Sequence, residues 1–213
     1  MGPPPPIRLG VYNIITAGRS SNSGYSLLGV LHAKTQAIFY EATLAFILPS
    51  SIVLDCRHNL ANFYFFQVYL WLIFLPLPLS FVWFISCLAK ANRTPFDFAE
   101  GESKLVSGFN SEHAGGEFAS IFLAEYANIL FMRLLFCVNF WVAIFFLFFL
   151  CSGCFISFLF IWVHVTTPQF RYDKLMYLAW KRFLPPSLNY LLFFVGVRYF
   201  ILFIYLFFFA VVY

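Results

Sequence analysis

No Asp, Glu, Lys or Arg lies between Arg57 and Lys90, between Arg133 and Arg171, or between Arg182 and Arg198. The first two each exceed the roughly 20 apolar residues that a spanning helix needs. Inside a bilayer every backbone N–H and C=O must be satisfied within the segment, so helices are the expected form. The runs do not alternate as barrel strands do. The pattern predicts five spanning helices, near residues 36–55, 63–89, 117–135, 138–163 and 187–213. Residues 9–17 read as the end of one more helix, closed by Arg19, Ser20, Ser21, Asn22 and Ser23.

Two polar connections interrupt this pattern. One runs over residues 90–116 and the other over residues 164–186, the second carrying Arg171, Asp173, Lys174, Lys181 and Arg182. Two helices separate them, so both belong on one side of the membrane. Arg19 and Lys34 count back to that side as well. Nine of the 13 Lys and Arg residues then fall there: Arg19, Lys34, Lys90, Arg93, Lys104, Arg171, Lys174, Lys181 and Arg182. The positive-inside tendency makes it the cytoplasm-equivalent face. The layout is an N-terminal segment over 1–35, two helices over 36–89, an acidic connection over 90–116, two helices over 117–163, a basic connection over 164–186 and a final helix over 187–213. In the first connection Thr94 suits a helix N-cap, with Pro95 at the first helical position and Asp97 at the third. A connection of this length with its own short helices is usually functional.

Composition strengthens the membrane reading. Of 213 residues, 62% are hydrophobic and 10% charged, and 32 are Phe. A soluble domain is usually about one quarter charged. The net charge of +4 is spread among spanning segments, which gives no nucleic-acid signal. Five cysteines in apolar surroundings do not make a disulfide framework. Cys151 and Cys154 have metal-ligand spacing with no second pair nearby, so no metal site is assigned. The proline-rich start over residues 1–6 is unlike a cleavable signal peptide. Asn92-Arg93-Thr94 fits the glycosylation acceptor pattern, but on the expected side it never meets that enzyme. No phosphate-binding glycine loop, nucleophile elbow or HExxH motif occurs, so no nucleotide, flavin or iron–sulfur cluster is expected on this chain.

The chemistry the residues offer is that of carboxylates. Of nine acids, five lie within 97–117: Asp97, Glu100, Glu102, Glu112 and Glu117. The plain reading is a solvated acidic loop face. The sharper one is a proton-handling cluster, because closely spaced carboxylates cannot all ionise cheaply. Glu41 and Glu125 fall inside expected spans, where a carboxylate costs a few kcal/mol or more and normally faces the bundle interior or a water path. Asn128 is three residues from Glu125 and shares its face. For both acids the plain alternative is snorkelling to the interface. Arg171, Lys174, Lys181 and Arg182 read most simply as topology signals or lipid head-group contacts. Arg198 interrupts the last helix and either snorkels or meets a neighbouring subunit. His32 and His164 are weak head-group candidates.

The run Asn92-Arg93-Thr94-Pro95-Phe96-Asp97-Phe98-Ala99-Glu100-Gly101-Glu102-Ser103, followed by Leu105-Val106-Ser107-Gly108-Phe109-Asn110, resembles the signature of the chain 1 family of NADH:ubiquinone oxidoreductases, a membrane core subunit of respiratory complex I. Glu112, Ala114-Gly115-Gly116, Ala124-Glu125-Tyr126-Ala127-Asn128, Phe170-Arg171-Tyr172-Asp173, Leu175-Met176, Trp180-Lys181 and Phe183-Leu184-Pro185 also match. So do Ser21-Asn22-Ser23, Tyr25, Gly29, Gln36 and Tyr40-Glu41. The motifs are long and span most of the chain.

The resemblance implies an all-α polytopic fold, the last five of eight spanning helices, with the long connections in the mitochondrial matrix. It implies a subunit of the inner membrane that joins the quinone-reducing peripheral arm to the membrane arm. Such a subunit is not catalytic alone and takes ubiquinone as the substrate of the whole complex. Glu41, Asp97, Glu100, Glu102, Glu112 and Glu125 inherit a proton-relay role. Arg93, Phe122, Leu123 and Arg171 fall where the family lines its quinone chamber. Expected partners are the other subunits of both arms, membrane lipids, and a separate polypeptide supplying three missing helices, as from a split gene.

The departures are specific. Lys90 and Lys104 stand where the family usually has Glu. His32, His164 and Gln169 stand where arginines are common, and Glu117 replaces a usual proline. Either Lys90 and Lys104 pair with nearby carboxylates or the relay is rerouted. Two rival readings follow: an assembly scaffold whose relay is impaired, and an independent ion transporter, for which the paired repeats usual in transporters are not seen.

Overall fold

The computed structural model describes residues 5–55, 76–98, 115–140 and 146–212, and all that follows concerns these. They form helices and turns with no strand, which agrees with the expected all-α class. The helices are α1 (Pro5–Ser20), α2 (Gly24–Asp55), α3 (Leu77–Lys90), α4 (Gly115–Phe140), α5 (Phe146–Thr166), α6 (Tyr172–Tyr177) and α7 (Leu184–Val212). A π-helical turn, Leu178–Phe183, joins α6 to α7 without a break.

Three helical stretches are long and apolar enough to cross a membrane: Gly24–Val53, Gly115–Phe140 and Tyr172–Ile204. Leu77–Lys90 and Leu150–Thr166 are apolar but shorter. The expected spans near 63–89 and 138–163 lie partly outside the described residues.

Local sequence sets the boundaries. Ser23 is the N-cap of α2, its Oγ accepting the Ser26 N–H at 3.2 Å. Asn22 takes a φ of 49°, which Asn tolerates better than most residues, and reverses the chain between α1 and α2. Ser26 Oγ then donates to the Gly18 carbonyl at 2.9 Å, tying the two helices. Pro49 sits inside α2, where it withholds one backbone N–H. The hydroxyl of Ser50 bonds back to Ile47 in the same stretch.

The basic connection differs from expectation. Residues 172–183 are helical and run straight into α7, so the loop expected over 164–186 shrinks to a few residues around 167–170. The polar residues Lys174, Lys181 and Arg182 hid an amphipathic helix start, with Leu175, Ala179 and Phe183 buried at a spacing of four. The π turn comes just before Pro185 and Pro186. A proline ring clashes with the carbonyl four residues back and offers it no N–H, and a widened turn accommodates both.

The core gathers around α2, which packs against α1, α3 and α7. Tyr40, Leu44 and Ile47 of α2 meet Leu79, Trp83 and Cys87 of α3, and Met132, Phe136 and Phe140 of α4. The Trp83 and Phe140 rings cross edge-on at 5.9 Å. Ser51 donates to Asn139 Oδ1 at 2.8 Å, a polar link between α2 and α4 inside this apolar core. Outward faces stay apolar: Leu123, Leu130 and Leu134 on α4, Phe158 and Ile161 on α5, and Phe193, Phe200 and Phe203 on α7 are exposed. This is the inverse of a soluble surface and suits contact with lipid tails or other apolar helices. Arg198 reaches inward and donates to the Val53 carbonyl at 3.1 Å. That carbonyl is in the last turn of α2, whose acceptors have no partner within the helix.

Candidate functional site

The polar side chains converge where α3 ends. Ala91 bonds back to Cys87 at 3.0 Å and Asn92 follows with a φ of 50°, a left-handed helix ending that Asn supports. This turn leaves Lys90 inside the bundle and swings Arg93 toward α4.

Two ion pairs result. Lys90 Nζ lies 3.5 Å from Glu41 Oε1 of α2, with the side chains 6% and 16% exposed. Arg93 Nη2 lies 3.3 Å from Glu125 Oε2 of α4, with the side chains 18% and 15% exposed. The Arg93 guanidinium also lies 5.0 Å from the centroid of the Tyr126 ring. Asn128, on the face of α4 that carries Glu125, donates to the Lys90 carbonyl at 3.3 Å. The two pairs are thus bridged by backbone and one amide. Both acids are partly buried with a cation beside them. Of the two readings open for Lys90, the pairing one is observed.

The segment over residues 91–98 is clasped from the other side. The Thr94 hydroxyl bonds both the carbonyl of His164, at 2.7 Å, and its Nδ1. One hydroxyl has one hydrogen. Donated to the carbonyl, it leaves the Thr94 oxygen free to accept from the imidazole when Nδ1 carries a proton. Phe170 donates to the Pro95 carbonyl at 3.0 Å, and Gln169 donates to the Asp97 carbonyl. The Phe96 and Phe170 rings stack at 5.6 Å. Residues 94–97 and the stretch from His164 to Phe170 are thereby held together.

Thr94 is no helix N-cap. Residues 94–98 form turns and a bend, and the Thr94 hydroxyl is committed to His164. A hydroxyl with two partners on another helix outweighs a single local cap bond.

The remaining expected residues are placed differently. Asp97 is half-buried beside this clasp. Glu100, Glu102 and Glu112 lie outside the described residues, as does Lys104. Phe122 packs on Phe118 at 4.6 Å and is half-buried, whereas Leu123 is 74% exposed on the outer face of α4. Arg171 pairs with Asp173 at 3.0 Å on the exposed surface. The structure brings Arg93 to Glu125 and leaves Phe122, Leu123 and Arg171 outside that cluster. Among the described residues, no three His, Cys, Asp or Glu side chains are grouped to hold a metal ion. Cys151 and Cys154 are exposed and free.

Gln36 is the residue that the reading of chemistry along the sequence passed over. It is fully buried in α2, and its amide nitrogen donates to the carbonyls of Ala89, at 2.7 Å, and Phe96, at 2.9 Å. The one available signal was a polar amide amid Ala, Ile and Tyr on the inward face of an apolar helix.

A family model described as NADH dehydrogenase matches residues 7–195. The chain is 61% identical over 193 residues to a protein of Anopheles gambiae named NADH-ubiquinone oxidoreductase chain 1, covering 90% of this chain and 62% of the relative. It is 54% identical over 190 residues to the protein of that name in Locusta migratoria, covering 89% and 61%. Against that of Notamacropus eugenii it is 45% identical over 197 residues, covering 89% and 62%. The chain spans less than two thirds of the length of each of these relatives.

Proposed function

The chain belongs to the NADH dehydrogenase family, and from that premise we propose that it serves as a membrane subunit of a proton-pumping NADH:ubiquinone oxidoreductase of the mitochondrial inner membrane. It is not catalytic alone. Its part is to help shape the chamber where ubiquinone is reduced and to couple that reduction to proton movement. Its partners are the other subunits of both arms, with lipid tails against the exposed apolar faces. Flavin and iron–sulfur chemistry falls to other subunits, and the clasped end faces the matrix.

The observation that carries this reading is the pair of bridged ion pairs, Lys90–Glu41 and Arg93–Glu125, whose acids lie within apolar helices. Charges at such positions are expensive and are normally tied to ion or proton pathways. A carboxylate whose partner is a fixed cation changes its proton occupancy when a nearby charge changes. Reduction of a quinone head group is such a change. Glu41 and Glu125 form the described stretch of the relay, Asp97 lies at its edge, and Glu100, Glu102 and Glu112 continue it. Arg93 links the relay to the chamber, with Phe122, Leu123 and Arg171 on the chamber side.

The test is Glu125→Gln in the assembled complex. The expected outcome is an assembled complex, less stable than the unaltered one, with proton pumping reduced severalfold at a given rate of NADH oxidation. Unchanged pumping would favour the scaffold reading, in which each acid merely balances its cation.

A further inference from the structure

The segment that supplies both cations is pinned at two points by one side chain. Lys90 and Arg93 lie between Ala89 and Phe96, whose carbonyls accept both hydrogens of the Gln36 amide, at 2.7 Å and 2.9 Å. Gln36 is fully buried, so water cannot substitute for it without entering the core. It stands five residues before Glu41 on the same rigid helix. The backbone of α2 therefore fixes one acid, and through Gln36 the same backbone fixes the cation partners of both acids.

We propose that Gln36 is a positioning residue for the Lys90–Glu41 and Arg93–Glu125 pairs, an inference that rests on the relay reading for its functional meaning. The chemistry requires an amide at this length. A carboxylate at this position donates no hydrogen, a methionine has none to give, and asparagine is one methylene short of reaching both carbonyls. Loss of the donors frees the segment over residues 90–96 to shift, while the apolar packing of Trp83, Leu79 and Ile47 deeper in the bundle is untouched.

The experiment compares Gln36→Met with the unaltered chain in the assembled complex. Carbodiimide labelling of Glu41 and Glu125 is read by peptide mass spectrometry at one pH, alongside alkylation of the buried Cys87 and the ratio of protons pumped to NADH oxidised. The expected result is at least threefold more labelling of both acids, with Cys87 still protected and the pumping ratio lowered. If Gln36→Met does not assemble, Gln36→Asn is read in the same way. Labelling that stays at the unaltered level overturns the positioning role, and so does labelling that rises only together with Cys87 alkylation. Labelling that rises with an unchanged pumping ratio supports the positioning role and overturns the relay reading instead.

Discussion

Replacing Lys90 by Met removes one charge from a buried pair and keeps the stem volume. At the observed 3.5 Å separation and an effective dielectric of about 20, the gross attraction is about 5 kcal/mol. Much of that is offset by the desolvation of both groups, so the pair itself contributes little net stability. Breaking it is another matter. The Glu41 side chain, 16% exposed, loses its partner while held mostly out of water, and such losses cost up to about 3–5 kcal/mol. Removing both charges together, as Glu41→Gln with Lys90→Met, leaves no orphaned charge, and most of that cost disappears. The assay is the rate at which the detergent-extracted complex loses this subunit on mild heating, followed on native gels. With about 1.4 kcal/mol per factor of ten, Lys90→Met speeds loss by roughly 100-fold or more and Glu41→Gln acts similarly. The double variant returns to within about tenfold of the unaltered chain. Additive effects of the two substitutions would refute the reasoning, because residues that act through one shared contact must show coupling.

Two further substitutions probe the supports of the site. Arg198→Met removes the charged donor to the Val53 carbonyl at the end of α2, and costs about 1–2 kcal/mol. A lower thermal midpoint for the extracted complex, partly recovered by Arg198→Lys, is the expected readout. Thr94→Val removes both bonds to His164 and costs about 1–2 kcal/mol of local stability. Limited proteolysis across residues 91–98 should quicken severalfold, and Thr94→Ser should restore protection.

Much of the fold was legible because the bilayer imposes a simple rule. Uncharged runs longer than about 20 residues must be helices there, and the described parts of the runs after Arg57 and Arg133 fall mainly in α3, the end of α4, and α5. The turn over Ser21, Asn22 and Ser23 was legible for the same kind of reason, since its residue types have few other uses. Where polarity was taken to mean loop, the reading failed: Lys174, Lys181 and Arg182 belong to a helix whose inward face carries Leu175, Ala179 and Phe183. Two prolines reinforced the error, because the π turn that absorbs them has no sequence signature of its own.

The site was legible in its acids and illegible in its partners. Glu41 and Glu125 stood out as charges in apolar runs, and the face shared by Glu125 and Asn128 followed from a spacing of three. That Lys90 meets Glu41 and Arg93 meets Glu125 depends on helix packing across 49 and 32 residues, which no local pattern encodes. Thr94 was misread for a related reason. Its local context resembles a cap, but a helix end 70 residues away supplies better partners. Gln36 drew no notice as chemistry because an amide has no charge to announce it.

The claim on which the account turns is that these buried charges persist for proton handling rather than for stability. The paired variant Glu41→Gln/Lys90→Met separates the two, since it leaves the bundle electrically balanced. The measurement is the number of protons moved per NADH oxidised by that complex in sealed vesicles. The account predicts a stable, assembled enzyme whose ratio falls severalfold. A stable enzyme that pumps at the unaltered ratio would contradict it.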